Sequence, residues 1–270
     1  MEDKNTVINA LDLFAGAGGF SIGMVNAGIN IVAAVEFNKK ISPTYKYNHK
    51  KTTLLEEDIQ NVAASIKDPL YKKSKYCIDQ IFKNKECDII FGGPPCQGFS
   101  MSGNRIREKK SFLDDERNFL FKEFIRMVEY LNPKVFIIEN VPGILNYNDG
   151  VIKEEIFNTF NKLGYDIKAK VLCSADYGVP QLRNRAFFIG NRIGIDSNLL
   201  FPEANYTNEN YVTVKDAISD LPSLDAGTGL EITEYPTSTY LSDYQKKLRK
   251  NSSHIFNHIS TKHKIETIKY

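Results

Sequence analysis

Short apolar runs recur along the chain, and segments with helical spacing separate them. Each run has the length of a strand, and most are bounded by Gly, Asn, Asp or Pro. Several runs are apolar on both faces, which is typical of strands buried between two layers of helices. The pattern therefore predicts strands at residues 7–14, 30–36, 52–58, 87–92, 134–140, 167–173 and 185–191.

Helices are predicted in three of the intervening segments. Residues 20–28 and 151–164 each end at a glycine, and residues 117–131 stop before Pro133. Because strands and helices alternate, the sequence predicts an α/β fold with an open, doubly wound and mostly parallel sheet.

The regular alternation stops near residue 191. Beyond it the sequence is rich in Asn, Pro, Gly and Tyr, and only residues 214–221 show a short helical pattern. We therefore predict one regular domain over residues 1–191 and a second, less regular region over residues 192–270.

Composition places the chain among ordinary globular proteins. Hydrophobic residues make up 42% and the formal net charge is +2, so any surface for a polyanion must be local. The N-terminus lacks the basic start of a secretion signal, and no apolar run is long enough to cross a bilayer. The four cysteines have neither the density of a disulfide scaffold nor a Cys-x-x-Cys metal spacing. We expect a cytoplasmic protein with free thiols, no metal and no membrane contact.

A glycine-rich turn follows the first predicted strand in LDLFAGAGGFSIGM. Gly16, Gly18 and Gly19 lie where a tight turn brings backbone N–H groups towards a ligand. Ser21 occupies the third small position of the dinucleotide fingerprint Gly-x-Gly-x-x-Gly, which disfavours a pyrophosphate. The turn therefore predicts a site for a nucleotide or nucleoside.

Acidic residues end the next two strands. Glu36 lies twenty residues after Gly16, where a carboxylate can accept from ribose hydroxyls, and Phe37 offers a ring for a base. Asp58 can accept from an exocyclic amine, with Ile59 beside it. Taken singly, each of these residues is better explained as a turn glycine or a solvated strand-end charge. Together, at three successive strand ends, they indicate one crevice at a topological switch point.

A cysteine follows the fourth predicted strand in FGGPPCQGFS. Pro94 and Pro95 stiffen the backbone and leave carbonyl oxygens free to accept hydrogen bonds. A buried structural role is the common one for cysteine and fits the other three in the chain. Cys96 differs because it follows a strand end and precedes a loop with Gly and Ser, which is typical of a nucleophile.

The fifth predicted strand ends in Glu139 and Asn140. A partly desolvated carboxyl at a strand end is suited to proton transfer, and a salt-bridged carboxylate is the alternative. Further along, VPQLRNRAFF places Arg183 and Arg185 on one face if extended, with Gln181 beside them. An arginine pair suits a phosphate or a carbonyl oxygen, and solvent-facing charges are the alternative.

Four motifs together resemble those of the S-adenosylmethionine-dependent DNA (cytosine-5) methyltransferases: DLFAGAGGFSIGM, GGPPCQGFS, ENVPG and DYGVPQLRNRAFFIG, in this order. The resemblance covers about residues 7–191, and VTVKDAISDLPSL resembles the segment that follows in the family. It implies the class I methyltransferase (Rossmann-like) fold, S-adenosyl-L-methionine as cofactor, double-stranded DNA as substrate and a place in a restriction-modification system. Residues 192–270 would then form a linker and part of a target-recognition region.

The resemblance implies a covalent mechanism. Cytosine C5 is too weak a nucleophile to take a methyl group unaided, so the Cys96 thiolate adds to C6 and makes the ring enamine-like. By the same resemblance Glu139 holds N3 and the exocyclic amine, Arg185 contacts O2, and Arg183 supports the loop or the backbone. Loss of the C5 proton and β-elimination of Cys96 complete the reaction.

The resemblance also assigns residues to the cofactor. Phe14, Ala15, Gly16, Gly18 and Gly19 would contact its methionine end, Glu36 the ribose, and Phe37, Asp58 and Ile59 the adenine, while Pro94 and Leu120 would line the same pocket.

Contacts with DNA are expected around the segment after Cys96. Because C6 is inaccessible in a stacked duplex, the family flips its target base out. The segment contains glycines and a basic cluster and resembles a mobile loop that closes over DNA, although a solvated surface loop is the alternative. The residues expected to contact DNA are Ser100, Ser102, Arg105, Arg107 and Gln181.

The sequence departs from the family pattern towards its end. Complete single-chain members continue to an Arg-containing segment and a Gly-Asn-x-Val/Ile segment, which are not found here. We therefore expect the larger subunit of a split enzyme, with a second chain as partner, or a truncated form, and poor methylation by the chain alone. An RNA cytosine-5 methyltransferase and a silent DNA-binding subunit are the alternative functions. The chain lacks the Cys-Phe-Thr tripeptide of the former and retains Cys96, Glu139 and Arg185 against the latter.

Overall fold

A seven-stranded sheet organises the first part of the chain. The computed structural model describes residues 7–83, 85–95, 118–237 and 240–263. In these residues the strands are β1 (Asn9–Leu13), β2 (Asn30–Val35), β3 (Thr53–Leu55), β4 (Val62–Ala63), β5 (Tyr76–Cys77), β6 (Ile89–Gly92), β7 (Val135–Asn140), β8 (Asp166–Cys173), β9 (Asn184–Asn191), β10 (Gly229–Glu234) and β11 (His254–Ile259).

The strand order of the large sheet is β3-β2-β1-β6-β7-β9-β8. β1 pairs in parallel with β2 and β6, and parallel pairing continues to β3 on one side and to β7 on the other. β9 runs antiparallel to β7, and β4 and β5 form a separate parallel pair. Because the chain builds outward from β1 on one side and then on the other, the topological switch point lies between β1 and β6.

Helices connect most of these strands. In the described residues they are α1 (Gly19–Asn26), α2 (Ser42–Asn48), α3 (Ile78–Phe82), α4 (Phe119–Leu131), α5 (Gly143–Asn146), α6 (Val151–Lys162), α7 (Val214–Ile218) and α8 (Asp243–Arg249). Short 3-10 turns occupy Ile59–Asn61, Tyr147–Gly150, Ser174–Tyr177 and Ser197–Leu200. Within this described part of the chain, no helix combines the length and the apolar character needed to span a membrane.

The central strands bury side chains on both faces of the sheet. Leu11 and Phe136 belong to a large cluster that includes residues of α4 and α6. Ala10 and Phe91 belong to a second cluster with Met24 of α1. Successive strand residues point to opposite faces, so the two clusters show that helices cover both sides, as a doubly wound sheet requires.

Aromatic rings fill the middle of the larger cluster. Phe136 is fully buried and stacks on Phe160 with ring centroids 4.1 Å apart, while Tyr165 meets it edge-on at 5.1 Å. A Cβ atom added at Gly190 of β9 would collide with the Phe136 ring. The ring therefore uses space that only glycine leaves on the neighbouring strand.

The chain divides into two compact units. The first comprises residues 1–172 and 184–202, and the second comprises residues 173–183 and 203–270. The second unit contains α7, α8 and the antiparallel pair β10 and β11, with α8 in the connection between the two strands. Within it, the Tyr211 hydroxyl donates to the Asp176 carboxylate, and this bond raises the pKa of Tyr211 to about 12.

The hydrophobic pattern identified the sheet correctly. All seven predicted strands are present, as are helices corresponding to the four helical patterns, α1, α4, α6 and α7. The pattern did not predict the remaining elements, which are short or lack a continuous apolar stripe: α2, α3, α5, α8, the pair β4 and β5, and the pair β10 and β11. The first compact unit ends at Pro202, whereas the sequence predicted a boundary at residue 191. The functional assignment of the two regions stays a prediction.

We expect Phe136→Ala to lower the free energy of unfolding by about 3–5 kcal/mol, because it leaves a cavity in a fully packed core. Denaturant titration followed by circular dichroism measures this change. The control is Phe37→Ala, whose ring is 71% exposed, and its expected effect is below about 0.5 kcal/mol. Equal losses in both variants would contradict the central position of Phe136.

Candidate active site

The carboxyl ends of the parallel strands define one edge of the sheet. β1, β2, β3, β6 and β7 run in the same direction, so the turns that follow them share that edge. β9 runs the opposite way and pairs Ala186 with Asn140, which brings the first residues of β9 to the same edge. The residues predicted from three strand ends therefore lie on one side of the molecule's first unit.

The glycine turn between β1 and α1 has a left-handed backbone at three positions. These are Phe14 (φ 60°), Gly16 (φ 57°) and Gly18 (φ 90°). Glycine adopts this conformation readily, whereas for Phe14 it costs on the order of 1 kcal/mol or more. The Ala15 N–H donates to the Val35 carbonyl at 3.1 Å, so the turn is tied to the end of β2.

Glu36 holds the glycine turn from the end of β2. Its Oε2 accepts from the Gly16 N–H at 2.7 Å, and its Oε1 accepts from the Asn38 N–H at 2.6 Å. A carboxylate offers about four acceptor positions, so both oxygens retain capacity for a further donor. Phe37 presents its exposed ring beside it, and a Cβ at Gly19 would meet no atom within 4 Å. The edge thus combines spare acceptors, an aromatic face and open space.

A buried polar network behind the turn was not identified from the sequence. Asp12 of β1 is 1% exposed, and its Oδ2 accepts from the Ser21 hydroxyl at 2.6 Å. Burial is the main cause that raises the pKa of Asp12 to about 7; the Ser21 hydrogen bond opposes this rise and the nearby Glu36 charge contributes to it. The available signal was an acidic residue inside an otherwise apolar strand.

The turn after β3 carries Asp58 and Ile59. Asp58 caps this turn, since its Oδ1 accepts from the Gln60 N–H at 3.0 Å. The Ile59 side chain is buried in the larger core cluster, and Leu120 of α4 packs against that cluster. Of the two turn residues, Asp58 therefore has its side chain available at the edge, whereas the Ile59 side chain packs in the core.

Arg126 of α4 anchors the turn after β3. Its Nη2 donates to the carbonyls of Ile59 at 3.1 Å and Val62 at 3.0 Å. Its Nη1 pairs with the fully buried carboxylate of Asp68, and its Nε donates to Glu123 at 2.8 Å. Because the guanidinium is planar and its donors are fixed, these bonds hold the turn rigidly against α4.

β1 and β6 approach closely where they end. Leu13 is paired with Gly92, and a Cβ at Gly92 would collide with the Leu13 carbonyl oxygen. The next residue, Gly93, passes close to β7, because a Cβ there would lie 3.2 Å from Oε2 of Glu139. The segment after β6 therefore leaves the sheet between the glycine turn and Glu139.

Pro94 connects the segment after β6 to β7. It is buried, and its carbonyl oxygen accepts from Nδ2 of Asn140 at 3.0 Å. The sequence predicted free carbonyls here, and the structure assigns this one a partner in the adjacent strand. Because the Pro-Pro step lacks N–H donors, the Asn140 amide supplies a bond that the strand backbone does not.

Glu139 forms an ion pair with Arg185. Their Oε1 and Nε atoms are 2.8 Å apart, and the side chains are 30% and 23% exposed. Arg185 Nη1 also donates to the Asn184 carbonyl at 2.8 Å. A half-buried carboxylate and guanidinium thus lie together at the edge shared by β7 and β9.

Two predicted residues fall in the second unit. β9 begins at Asn184, so Arg183 lies in the preceding turn, where its N–H donates to the Gln181 carbonyl at 3.0 Å. Arg183 therefore precedes the strand that contains Arg185, and the predicted roles of Arg183 and Gln181 stay predictions. Cys96, Ser100, Ser102, Arg105 and Arg107 lie outside the described residues, and their roles stay predictions.

The doubly wound sheet with a glycine turn after β1 and an acid after β2 defines the class I methyltransferase fold. The family model of C-5 cytosine-specific DNA methylases matches residues 8–270, and the chain belongs to this family.

Three known proteins illustrate the relationship. Type II methyltransferase M.DdeI of Desulfomicrobium norvegicum is 38% identical over 261 residues, which cover 95% of this chain and 58% of that protein. Type II methyltransferase M.AquIA of Picosynechococcus sp. is 34% identical over 234 residues, which cover 78% and 88% respectively. A solved structure described as a DNA modification methyltransferase encoded within an E. coli prophage has a TM-score of 0.70 and 30% identity, covering 95% of this chain and 72% of that one. The chain thus spans little more than half the length of M.DdeI.

We expect Arg126→Met to lower the free energy of unfolding by about 3–5 kcal/mol, because it leaves the buried Asp68 charge without its partner. Denaturant titration measures this loss. Lys246→Met is the control: it breaks an exposed ion pair with Asp243 in the second unit, and such pairs contribute about 0–1 kcal/mol. A loss for Arg126→Met no larger than for Lys246→Met would contradict the anchoring role.

Proposed function

We propose that this protein is a DNA (cytosine-5) methyltransferase of a restriction-modification system. It transfers a methyl group from S-adenosylmethionine to C5 of a flipped-out cytosine in double-stranded DNA. The observation that carries this proposal is the Glu139–Arg185 ion pair, at the sheet edge shared with the glycine turn and beside the Pro94 segment that leads to Cys96. Family membership and the Type II methyltransferase relatives support it.

The residues at the edge fit S-adenosylmethionine. Glu36 retains acceptor capacity for ribose hydroxyls, Phe37 has an exposed ring for the base, and Asp58 has a carboxylate for the adenine amine. The glycine turn would contact the methionine end. When bound, the cofactor supplies an electrophilic methyl group on a sulfonium.

The chemistry requires three side chains at the base. The Cys96 thiolate adds to C6, and the ring electrons move towards C5 and N3. Glu139 donates its proton to N3 and accepts a hydrogen bond from the exocyclic amine. Arg185 donates to O2 and to Glu139. As C5 takes the methyl group, the N3 proton returns to Glu139. A water molecule then takes the C5 proton, the electrons of the C5–H bond restore the C5–C6 double bond, and the C6–S bond breaks to release the Cys96 thiolate.

DNA binding is assigned to the segment after Cys96 and to Gln181. Ser100, Ser102, Arg105 and Arg107 would contact phosphates and hold the duplex open while the base is flipped. Because M.DdeI is longer than this chain, we also propose that full activity needs the region that M.DdeI has beyond the match, on the same or a second polypeptide.

Covalent trapping tests the catalytic assignment. Duplex DNA with 5-fluorocytosine is expected to form a denaturation-resistant adduct with the wild type, because fluorine is not lost from C5 as a proton is. Cys96→Ser should form none and should transfer no labelled methyl group. Glu139→Gln should lower the initial rate by about 10²- to 10⁴-fold, the usual contribution of a general acid. Gel electrophoresis and tritiated methyl transfer measure these outcomes.

The control for Glu139→Gln is Glu129→Gln, an exposed residue of α4 that should leave the rate unchanged. Each assay is run with and without the additional region of M.DdeI supplied as a separate fragment. Label entering transfer RNA in place of DNA would favour the RNA methyltransferase. Cofactor and DNA binding without adduct or transfer in either format would favour a silent subunit.

Glu36→Gln is expected to weaken S-adenosylmethionine binding about 10- to 100-fold. The reason is that a hydrogen bond to a charged group contributes about 1.5–3 kcal/mol, and the substitution removes the charge. Isothermal titration calorimetry measures this change. Glu209→Gln, an exposed change in the second unit, should bind as the wild type does. Unchanged affinity of Glu36→Gln would remove this carboxylate from the cofactor site.

A further inference from the structure

A hydrogen bond closes the glycine turn at its base. Asp12 precedes the turn on β1, and Ser21 follows it in the first turns of α1. The Ser21 hydroxyl donates to Asp12 Oδ2 at 2.6 Å, and neither side chain is more than 1% exposed. This bond joins the two ends of the turn, so their separation is fixed from inside the protein.

α2 braces the closed turn from behind. The Tyr45 hydroxyl lies 2.8 Å from Ser21 Oγ, and the Tyr45 side chain is fully buried. The rings of Tyr45 and His49 have centroids 4.5 Å apart, and His49 Nε2 lies 3.0 Å from the Gly18 carbonyl oxygen. The turn region is therefore met at two places, by the Tyr45 hydroxyl of α2 and by the imidazole of His49, the residue that follows α2.

The fit between α2 and the turn leaves no free space at Gly18. A Cβ at this residue would collide with the His49 ring and lie 2.9 Å from Tyr45 Cδ2. The backbone of Gly18 is also left-handed, at φ 90°. Displacing the turn towards α2 would thus require the buried rings to move, and displacing it away would break the hydrogen bonds to Ser21 and Gly18.

We propose that Asp12, Ser21 and Tyr45 are positioning residues for the methyl donor, because they hold the glycine turn in its ligand-binding form. This proposal rests on the proposed function of the turn as a cofactor site. The three residues act through the backbone of the turn and are not assigned any contact with the cofactor. The same network places a buried carboxyl behind a site whose proposed ligand is a cation.

The charge of Asp12 should give this positioning role a measurable pH dependence. Burial raises the pKa of its carboxyl to about 7, so it changes charge near neutral pH. Among the described residues, the groups that face it are Ser21 of α1, Tyr45 of α2 and Glu36 after β2, and His49 stacks behind Tyr45. Glu36 is the acidic neighbour, and its charge is one of the causes of the raised pKa of Asp12.

The sign of the pH effect follows from the charges. A sulfonium near the turn favours the ionised carboxylate, so donor binding lowers the pKa of Asp12 and donor affinity rises with pH through about 7. The demethylated product S-adenosylhomocysteine has a neutral sulfur, so its affinity should rise less with pH. Each unit of pKa change on binding corresponds to about a tenfold change in affinity. The ratio of donor to product affinity should therefore increase about three- to tenfold between about pH 6 and about pH 8.5.

Calorimetric titration of the full chain with S-adenosylmethionine and S-adenosylhomocysteine tests the proposal. The wild type should show the rise in the affinity ratio, and Asp12→Asn should abolish it. Tyr45→Phe and Ser21→Ala retain Asp12 and should weaken both ligands about three- to tenfold, which is the loss of one hydrogen bond. Tyr47→Phe, on the exposed side of the same helix, is the matched control and should bind as the wild type does. His49→Gln keeps a side-chain donor for the Gly18 carbonyl and leaves Asp12 unchanged, so it should retain the rise.

The outcomes separate this proposal from the proposed function. If the wild type binds neither ligand at any pH, the cofactor assignment fails. If it binds both ligands, and Asp12→Asn keeps the rising ratio while Tyr45→Phe and Ser21→Ala bind normally, the positioning role is overturned. Unfolding provides a readout without ligand. The raised pKa of Asp12 should make the wild-type stability fall as pH rises from about 4 to about 7, and Asp12→Asn should flatten that slope.

Discussion

Parallel pairing of β1 with β2 on one side and β6 on the other is the constraint on which the candidate site depends. A parallel sheet sends every carboxyl end to the same edge, whatever the length of the connections. Gly16, Glu36 and Glu139 are far apart in the sequence and are brought to this edge by strand direction alone. The local bonds described above then refine the geometry. The Glu36 carboxylate joins β1 and β2, and the Asn140 amide joins β6 and β7.

The antiparallel strand β9 completes this arrangement. In an entirely parallel sheet, Arg185 would lie at the opposite end of the sheet from the edge that carries Glu139. Reversal of β9 brings its first residues beside the last residues of β7, and the pairing of Asn140 with Ala186 places Arg185 next to Glu139. The ion pair therefore depends on a change of strand direction, and the guanidinium is oriented by both the carboxylate and the Asn184 carbonyl.

The sequence was sufficient for the features that local pattern determines. Buried strands appear as apolar runs, and strand-end residues such as Glu36 and Asp58 follow directly from those runs. Contacts across the fold were not accessible in the same way. Arg126 reaches Ile59 across 67 positions, and Tyr45 reaches Ser21 across 24, through a helix too short and polar to show a period. Asp12 was visible as an acid within an apolar strand, but its partners were not.

The close approach of β1 and β6 at Gly92 limits the distance between donor and acceptor in the proposed reaction. The glycine turn and the segment leading to Cys96 leave the sheet from neighbouring strands, which in sheets are about 4.8 Å apart. Donor and acceptor would therefore share one wall, and the methyl group would pass between them without a carrier arm or the swing of a domain. In such a site, the folded sheet holds the two binding positions side by side. Much of the entropic cost of bringing the two reactants together is then removed before the chemical step.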